Sequence, residues 1–456
     1  MIDITQETVK SLRLRLDRRE ISASELCSAH LKQIETMNPE LKGLVSVFAE
    51  EALSAAKNAQ LCIDKGEAVA LTGIPAAVSD NIMTEGVTTA CGSKMLADFV
   101  PPYDAGVIEK LKEAGYLLLG KAVVDEFSLG GSPRSGIAVG SGFVPYSLGS
   151  DTGGAIRRAS AFYGLTGLRP TYGRVSRYGL AAFASSLDQI GPIAKTAEDC
   201  AIILNTIAGR DSRDATSFES NEDFTAKIGA GVKGLKIAVP KEFFGENISE
   251  EVRNAVTGAA KELENQGAEL IDVSVEMTPF IRHAAEVFCI ISSAEASSNL
   301  SRYDGVNFGL RGEGGNYFER IVDSRSKGFG SEIKRRIMFG NFVLSGGNYD
   351  EYFKKAWLLR QKIKTEYDEI LRTADVILTP TVSDAFEHDT PSKRFLADFC
   401  TASASLAGLP CVTTTCGYRA NGLPVGMSLT GRKLGEVTIL QIADCFERVS
   451  AGGQYE

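Results

Sequence analysis

Short apolar runs alternate with helical patterns along most of the chain, and this alternation restricts the fold more than any other feature. From Leu71 to about Pro192 the sequence is rich in Gly, Ser, Thr and Ala, broken by the apolar runs Ile74 to Val78, Tyr116 to Leu119 and Leu165 to Leu168. Between the first two runs, Val107 to Ala114 reads as a helix closed by Gly115. Such an order predicts an α/β sheet covered by helices on both faces. The same grammar returns at Leu235 to Val239, a strand, followed by a helix beginning near Asn247 with Glu250 three residues after that cap. Gly267 closes that helix, and Leu270 to Val275 reads as the next strand. Residues 280–372 read as largely helical, Val376 to Leu378 and Val412 to Thr415 as strands, and a last helix begins near Glu436. At the front, Ser22 and Glu25 form a capping box for a helix whose Leu26, Ala29, Ile34 and Met37 share a face, with Asn38-Pro39 as its end. A length of 456 residues allows two to four domains on a prior of roughly 100–200 residues each. No repeat or low-complexity linker divides the sequence, so one domain over residues 1–456, with its core at about 71–192, is the expectation.

Composition removes several function classes. With 49 Lys and Arg against 58 Asp and Glu the net charge is -9, and the bulk field of such a chain repels phosphates. Nine cysteines, an odd number, are scattered without a Cys-x-x-Cys pair, which suggests neither a zinc ribbon nor a disulfide framework. Three distant histidines (His30, His283 and His388) argue against a histidine-rich metal site and against a Ser-His-Asp triad. Neither a signal peptide nor an apolar run of membrane-spanning length is read in the sequence, so the expectation is a soluble, reduced, cytoplasmic protein with no membrane contact and no cofactor.

The segment richest in chemistry is Leu148 to Arg157, which contains Gly149-Ser-Asp-Thr-Gly-Gly154. Adjacent glycines let a backbone turn tightly and approach a ligand, and consecutive N–H groups in such a turn can converge on an oxyanion. Asp151 and Arg157 could brace the loop from its two ends. By itself this is equally a Gly-rich strand-to-helix turn without function.

The surrounding motifs extend the reading. Gly73-Ile-Pro75, Asp80-Asn-Ile82, the glycine turn with Ile156-Arg157, and the run from Gly164 to Leu180 together resemble the amidase signature family. Phe183 to Pro192, Arg302 to Gly305, Gly328-Phe-Gly330 with Lys334 to Met338, Leu406 to Pro410 and Asn421 to Gly426 are similar to its GatA-type branch, the A-type members of tRNA-dependent amidotransferases. The resemblance implies one α/β domain with a twisted mixed sheet wrapped by helices. It also implies a Ser–cis-Ser–Lys triad, in which an uncharged lysine acts through a bridging serine on a nucleophilic serine. Thr152, Gly153 and Gly154 would form the oxyanion loop. Ammonia released from glutamine would pass to a tRNA-linked carboxylate on a partner subunit.

Every triad position departs from that pattern. The lysine position reads Ser79, the nucleophile position after Gly153-Gly154 reads Ala155, and counting back ~24 residues to the bridging serine lands on Gly131, or on Ser132 with a slip of one. Roughly twenty residues usual in the family are missing after Asp125-Glu-Phe127. Ala155 has no heteroatom for an acyl intermediate, and a hydroxyl at 79 has no usable pKa for a general base. Restoring all three groups recovers a proton path if the turn keeps the family geometry. Arg360 and Asp398 resemble the groups that receive the α-carboxylate and α-amino group of glutamine, though each also reads as a solvated helix charge. Leu310 stands where the family has a pocket tyrosine, and Val382 to Arg394 is shortened. The expectation is therefore an inactive homologue serving as scaffold or regulatory subunit with GatB-like and GatC-like partners, tRNA being met only through the B-type partner. The alternatives are a glutamine-hydrolysing, active A-type homologue and a module that binds glutamine or another amide.

Overall fold

The apolar runs become strands displaced by one to three residues from their expected bounds. A computed structural model describes residues 7–246, 248–273, 278–383, 391–450 and 452, with side chains described throughout except for residues 391–398. The strands are β1 (Leu44–Val47), β2 (Pro75–Ser79), β3 (Leu117–Ala122), β4 (Tyr146–Asp151), β5 (Thr166–Arg169), β6 (Gln189–Ala194), β7 (Lys236–Pro240), β8 (Glu269–Val273), β9 (Val376–Pro380), β10 (Cys411–Tyr418) and β11 (Pro424–Gly431). They form one mixed, twisted sheet in the order β1-β3-β2-β4-β6-β5-β10-β11-β9-β7-β8. Pairs β2–β3, β2–β4, β7–β8 and β7–β9 are parallel, and the remaining pairs are antiparallel.

Burial follows position in the sheet. Every residue of β2, β4, β5, β6 and β9 is buried, while the edge strands β1 and β8 expose Val45 and Val47, and Glu269 and Asp272, respectively. Helices cover both faces of the centre, as strands buried on both faces require.

Local rules explain most helix ends. The Ser22 hydroxyl accepts from the Glu25 N–H and the Glu25 carboxylate accepts from the Ser22 N–H, as the capping box demands. The helix Gly106–Glu113 stops before Gly115, at φ +70°, and Glu250–Asn265 stops before Gly267, at φ +97°.

Two ends differ from expectation. The first long helix runs Ala23–Leu41, through Pro39, and closes at Lys42 in the left-handed region, its N–H bonded to the Asn38 carbonyl. Its buried face is Ala23, Leu26, Cys27, His30 and Ile34; polar His30 sits within it, bonded to the Phe143 carbonyl at 3.1 Å. The helix Glu250–Asn265 is capped by Ser249, whose hydroxyl accepts from Val252 N–H. Asn247, the expected cap, lies outside the described residues, as do Ser274 and Val275.

Candidate functional site

Three parallel strands set the site. In the order β3-β2-β4 their C-terminal residues Ala122, Ser79 and Asp151 emerge at one edge of the sheet, where chains of this architecture bind ligands. Ser79 and Ala155 face a small cleft there with Gly131 and Ser132, closed by Asp125, Ser128 and Ser150. The segments read as triad positions are thus brought together although they come from three separate strand ends. The cleft measures about 20 Å³, room for about one water-sized probe.

The turn after β4 carries the candidate oxyanion loop into the helix Ala155–Tyr163. Backbone N–H groups in the first turn of a helix have no partner within it; here the Arg157 N–H is bonded to Asp151 Oδ2 at 3.4 Å, and of the turn only Ala155 lines the cleft, not Thr152, Gly153 or Gly154. Gly154 has φ +126°, and a Cβ there would lie 2.2 Å from Thr401 Oγ1; a Cβ on Gly153 would lie 2.4 Å from the Phe288 ring. Both glycines are dictated by close approach. Thr401 Oγ1 donates to the Gly153 carbonyl at 2.5 Å, and Thr152 Oγ1 donates to Asp188 at 2.6 Å.

Asp151 and Arg157 brace this turn as expected, and more strongly than a surface pair could. Arg157 donates through Nε and Nη2 to the two Asp151 oxygens at 3.1 and 2.9 Å, and also to the Thr401 carbonyl and Ser405 hydroxyl. Arg169 Nη1 bonds the Asp151 main-chain carbonyl, and both arginines and the aspartate are buried. Burial pushes the Asp151 carboxyl upward, but Arg157 beside it wins and holds it down at about 2. Asp188 makes no ion pair among the described residues, and burial pushes it up to about 6 against the hydrogen bonds from Thr152, Ala184 and Phe183 and the charge of Arg177.

The cleft is lined by hydroxyls, the Asp125 carboxylate and the Arg134 guanidinium, and by no lysine or histidine. Asn81 Nδ2 donates to Ser128 and Ser150 Oγ, both at 2.8 Å, fixing two of its serines. Ser132 donates through its N–H and hydroxyl to Asp125 at 2.7 and 2.6 Å, an arrangement that closes the 125–132 turn. Gly131 has φ +75°, and a Cβ built on it would stand 3.1 Å from the buried Arg158 guanidinium. The fully buried Lys121 of β3 does not line the cleft. Its ammonium bonds the Ile82 carbonyl and Thr84 Oγ1 in the loop after β2, with burial lowering it to about 8. Sequence reasoning missed Asn81, Lys121 and Arg158 as parts of this region; the Asp80-Asn-Ile82 motif was the available signal for the first.

The candidate substrate groups lie elsewhere. Arg360, on the helix Phe353–Thr373, lines a separate cleft of about 460 Å³ with Tyr172, Trp357, Lys364 and Lys433, sharing no lining residue with the Ala155 cleft. Its guanidinium donates to the Leu406 carbonyl, to the Ser186 carbonyl and to Ser186 Oγ at 2.6–2.9 Å. Ser186 is itself held by Glu295. Asp398 belongs to the helix Pro391–Ala407, and its side chain lies outside the described residues. Leu310 is partly exposed, its N–H bonded to the Met95 carbonyl. Among the described residues no group of His, Cys, Asp or Glu is arranged to hold a metal ion, and no helix is long and apolar enough to cross a membrane.

Comparison with known proteins agrees with this architecture. The amidase family model matches residues 25–135 and 130–440. The A subunit of the glutamyl-tRNA(Gln) amidotransferase of Ruminiclostridium cellulolyticum is 43% identical over 477 residues, 98% of each chain. That of Caldanaerobacter subterraneus subsp. tengcongensis is 44% identical, covering 97% of this chain and 96% of its own. The crystal structure of the corresponding A subunit from Thermotoga maritima superposes with a TM-score of 0.80 at 36% identity, covering 98% of this chain and 96% of that one. A bacterial aryl acylamidase, at 22% identity, shares the fold with a TM-score of 0.85. A match that spans the sheet, the glycine turn and nearly every helix places this chain in the amidase signature family, close to the GatA homologues.

Proposed function

We propose that this chain is a GatA-like subunit that does not itself hydrolyse amides and serves as scaffold or regulatory member of a tRNA-dependent amidotransferase. One observation carries the reading. At the strand-end cleft the positions read as nucleophile, bridge and base are Ala155, Gly131 and Ser79, in a space of about 20 Å³. No covalent acyl intermediate forms on a methyl group, and no lysine or histidine lines the cleft to act on a serine. GatB-like and GatC-like subunits are the proposed partners, with tRNA reached through the B-type subunit, in the cytoplasm.

A second reading is favoured by the relatives themselves. Proteins 41–44% identical over nearly the whole chain bear the name of glutamyl-tRNA(Gln) amidotransferase A subunits. On that reading the chain hydrolyses glutamine and supplies ammonia for transamidation. A third, binding of glutamine without turnover, draws support from the preserved glycine turn. Ammonia release from glutamine and calorimetric glutamine binding, measured on one preparation with and without B- and C-type subunits, separate the three. Stable association without turnover is expected; glutamine hydrolysis above background overturns the reading in favour of the second.

A further inference from the structure

The helices Ser331–Leu344 and Phe353–Thr373 leave a broad apolar surface uncovered. Met338 is 72% exposed, Leu358 56% and Phe342 47%. A run of rings follows the turn between the two helices, with the centroids of Phe342 and Tyr352 (the residue before the second helix) 5.4 Å apart, Tyr349 of the connection and Phe353 5.5 Å, and Phe353 and Trp357 of the second helix 6.4 Å. Beside Tyr352 a groove of about 400 Å³, lined by Phe280, Val287, Ile290 and Leu359, opens toward the helix Ala284–Asn299. Clustered exposed Met and aromatic side chains next to a groove are the composition of an interface core rather than of free surface.

Charge says what kind of partner fits. Residues 331–364 carry eight Lys and Arg against three Asp and Glu, a local excess of five positive charges in a chain whose net charge is -9. Arg335 and Arg336 are paired with Glu332, and Lys354 with Asp350. Lys355, Lys362 and Lys364 make no ion pair among the described residues, and Lys362 stands over the Phe280 ring at 4.4 Å. Glu286 and Glu351 also line the groove, so the cations form separate points rather than a track along which a phosphate backbone could run. Aliphatic anchors with discrete lysines suit a polypeptide better than RNA.

We propose that this face docks an acidic amphipathic helix of a partner chain. Its apolar side chains would cover Met338, Phe342 and Leu358 and place one anchor in the groove, while its carboxylates meet Lys355 and Lys362. The inference deepens the subunit reading above and rests on it for the existence of a partner. The test uses the full chain purified with B- and C-type subunits, hydrogen exchange reporting the footprint and size exclusion the complex. Protection of residues 338–358 is expected, with binding at least tenfold weaker for Met338→Asp with Leu358→Asp and for Lys355→Glu with Lys362→Glu. Leu61→Asp, at a remote residue 58% exposed, should leave binding unchanged. All the variants sit at exposed positions and should melt with the parent. A complex in which residues 338–358 exchange as in the free chain overturns the surface and leaves the subunit reading standing. Absence of any complex overturns both. Protection of the same residues in the isolated chain by transfer RNA overturns the proposal in favour of RNA, and indifference to the lysine reversals overturns its acidic half.

Discussion

Rebuilding the triad tests whether the cleft is merely missing three functional groups or is closed to them. Ala155→Ser adds one oxygen, which a space of about 20 Å³ accepts. Alone it should fold as the parent and remain silent, because losing the base of a serine hydrolase unit costs about as much as losing the nucleophile, on the order of 10⁶ in kcat. Ser79→Lys must place three further methylenes and an amine at a position only 2% exposed. Burial favours the neutral amine that the chemistry needs. The space does not, and overpacking of this kind costs about 1–3 kcal/mol. Gly131→Ser puts a Cβ on a residue at φ +75°, worth about 1–2 kcal/mol, and pushes it against Arg158.

The triple variant should therefore lose about 2–5 kcal/mol. Unfolding entropy of about 2.1 cal/mol/K per residue makes 1 kcal/mol worth only ~1 °C in a chain of this length, so the melting temperature should fall by about 2–5 °C. Coupled detection of ammonia from glutamine, alongside a thermal melt, reads both outcomes. No turnover above the parent is expected, contrary to what the family geometry implies. A triple variant that melts with the parent and turns over glutamine within about 10²-fold of an intact A-type subunit would refute the reasoning, since the cleft would then be open.

Three other perturbations follow from the same geometry. Asp151→Ala leaves the Arg157 and Arg169 guanidiniums buried without their carboxylate and should cost about 3–5 kcal/mol in urea unfolding; a loss below 1 kcal/mol would contradict the brace. Arg360→Gln, which breaks the bonds to Ser186 and Leu406, should cost about 1–3 kcal/mol whether or not glutamine is present. Stabilisation of the parent by glutamine, lost in that variant, would instead make Arg360 a ligand-binding residue. Burial raises Asp188 and Asp199 to about 6 and Glu447 to about 7 in the folded chain, above ordinary carboxylate values. The folded state then holds more protons than the unfolded one between about pH 4 and 7, so these groups should make stability fall as pH rises through that window. Glu447→Gln, which keeps the Thr166 and Thr414 contacts within reach, should flatten the fall in urea midpoints; an unchanged slope would exclude Glu447 as its source.

What the sequence made legible depended on whether the deciding contact was local. Strands β2, β3, β7 and β9 announce themselves because they are mostly buried and most of their side chains are apolar. Strands β4 and β6 lie at the centre of the sheet yet were not read as strands, since Gly149 and Asp151 in one and Gly191-Pro192 in the other look like turn residues. Tertiary contacts override those propensities. A Cβ on Gly149 would lie 3.3 Å from Ile156, and one on Gly191 would lie 2.0 Å from the Leu168 carbonyl. Pro192 pairs with Leu148, beyond the last registered pair with β5. The Asp151–Arg169 contact has no local signature at all, because its partners meet only after β4, β5 and β6 have assembled.

The site divides in the same way. Ser79, Gly131 and Ala155, picked out by the family resemblance, line one cleft because each follows a strand end whose position the fold determines. The partners of Arg360 could not be read from the sequence: Ser186 and Leu406 stand 174 and 46 residues away, and with them Arg360 faces a cleft separate from that of Ala155. Sequence identity weights all residues equally, whereas hydrolysis rests on a nucleophile, a base and the space around them. A chain can therefore keep 43% identity along its entire sheet while the three positions read as catalytic hold a methyl group, a hydrogen and a hydroxyl. Fold passes between relatives through hundreds of weak packing contacts, each dispensable; catalysis passes through a few side chains, none of them dispensable. Family membership is thus an argument about the scaffold, and the functional claim for this chain stands or falls on the chemistry of one cleft.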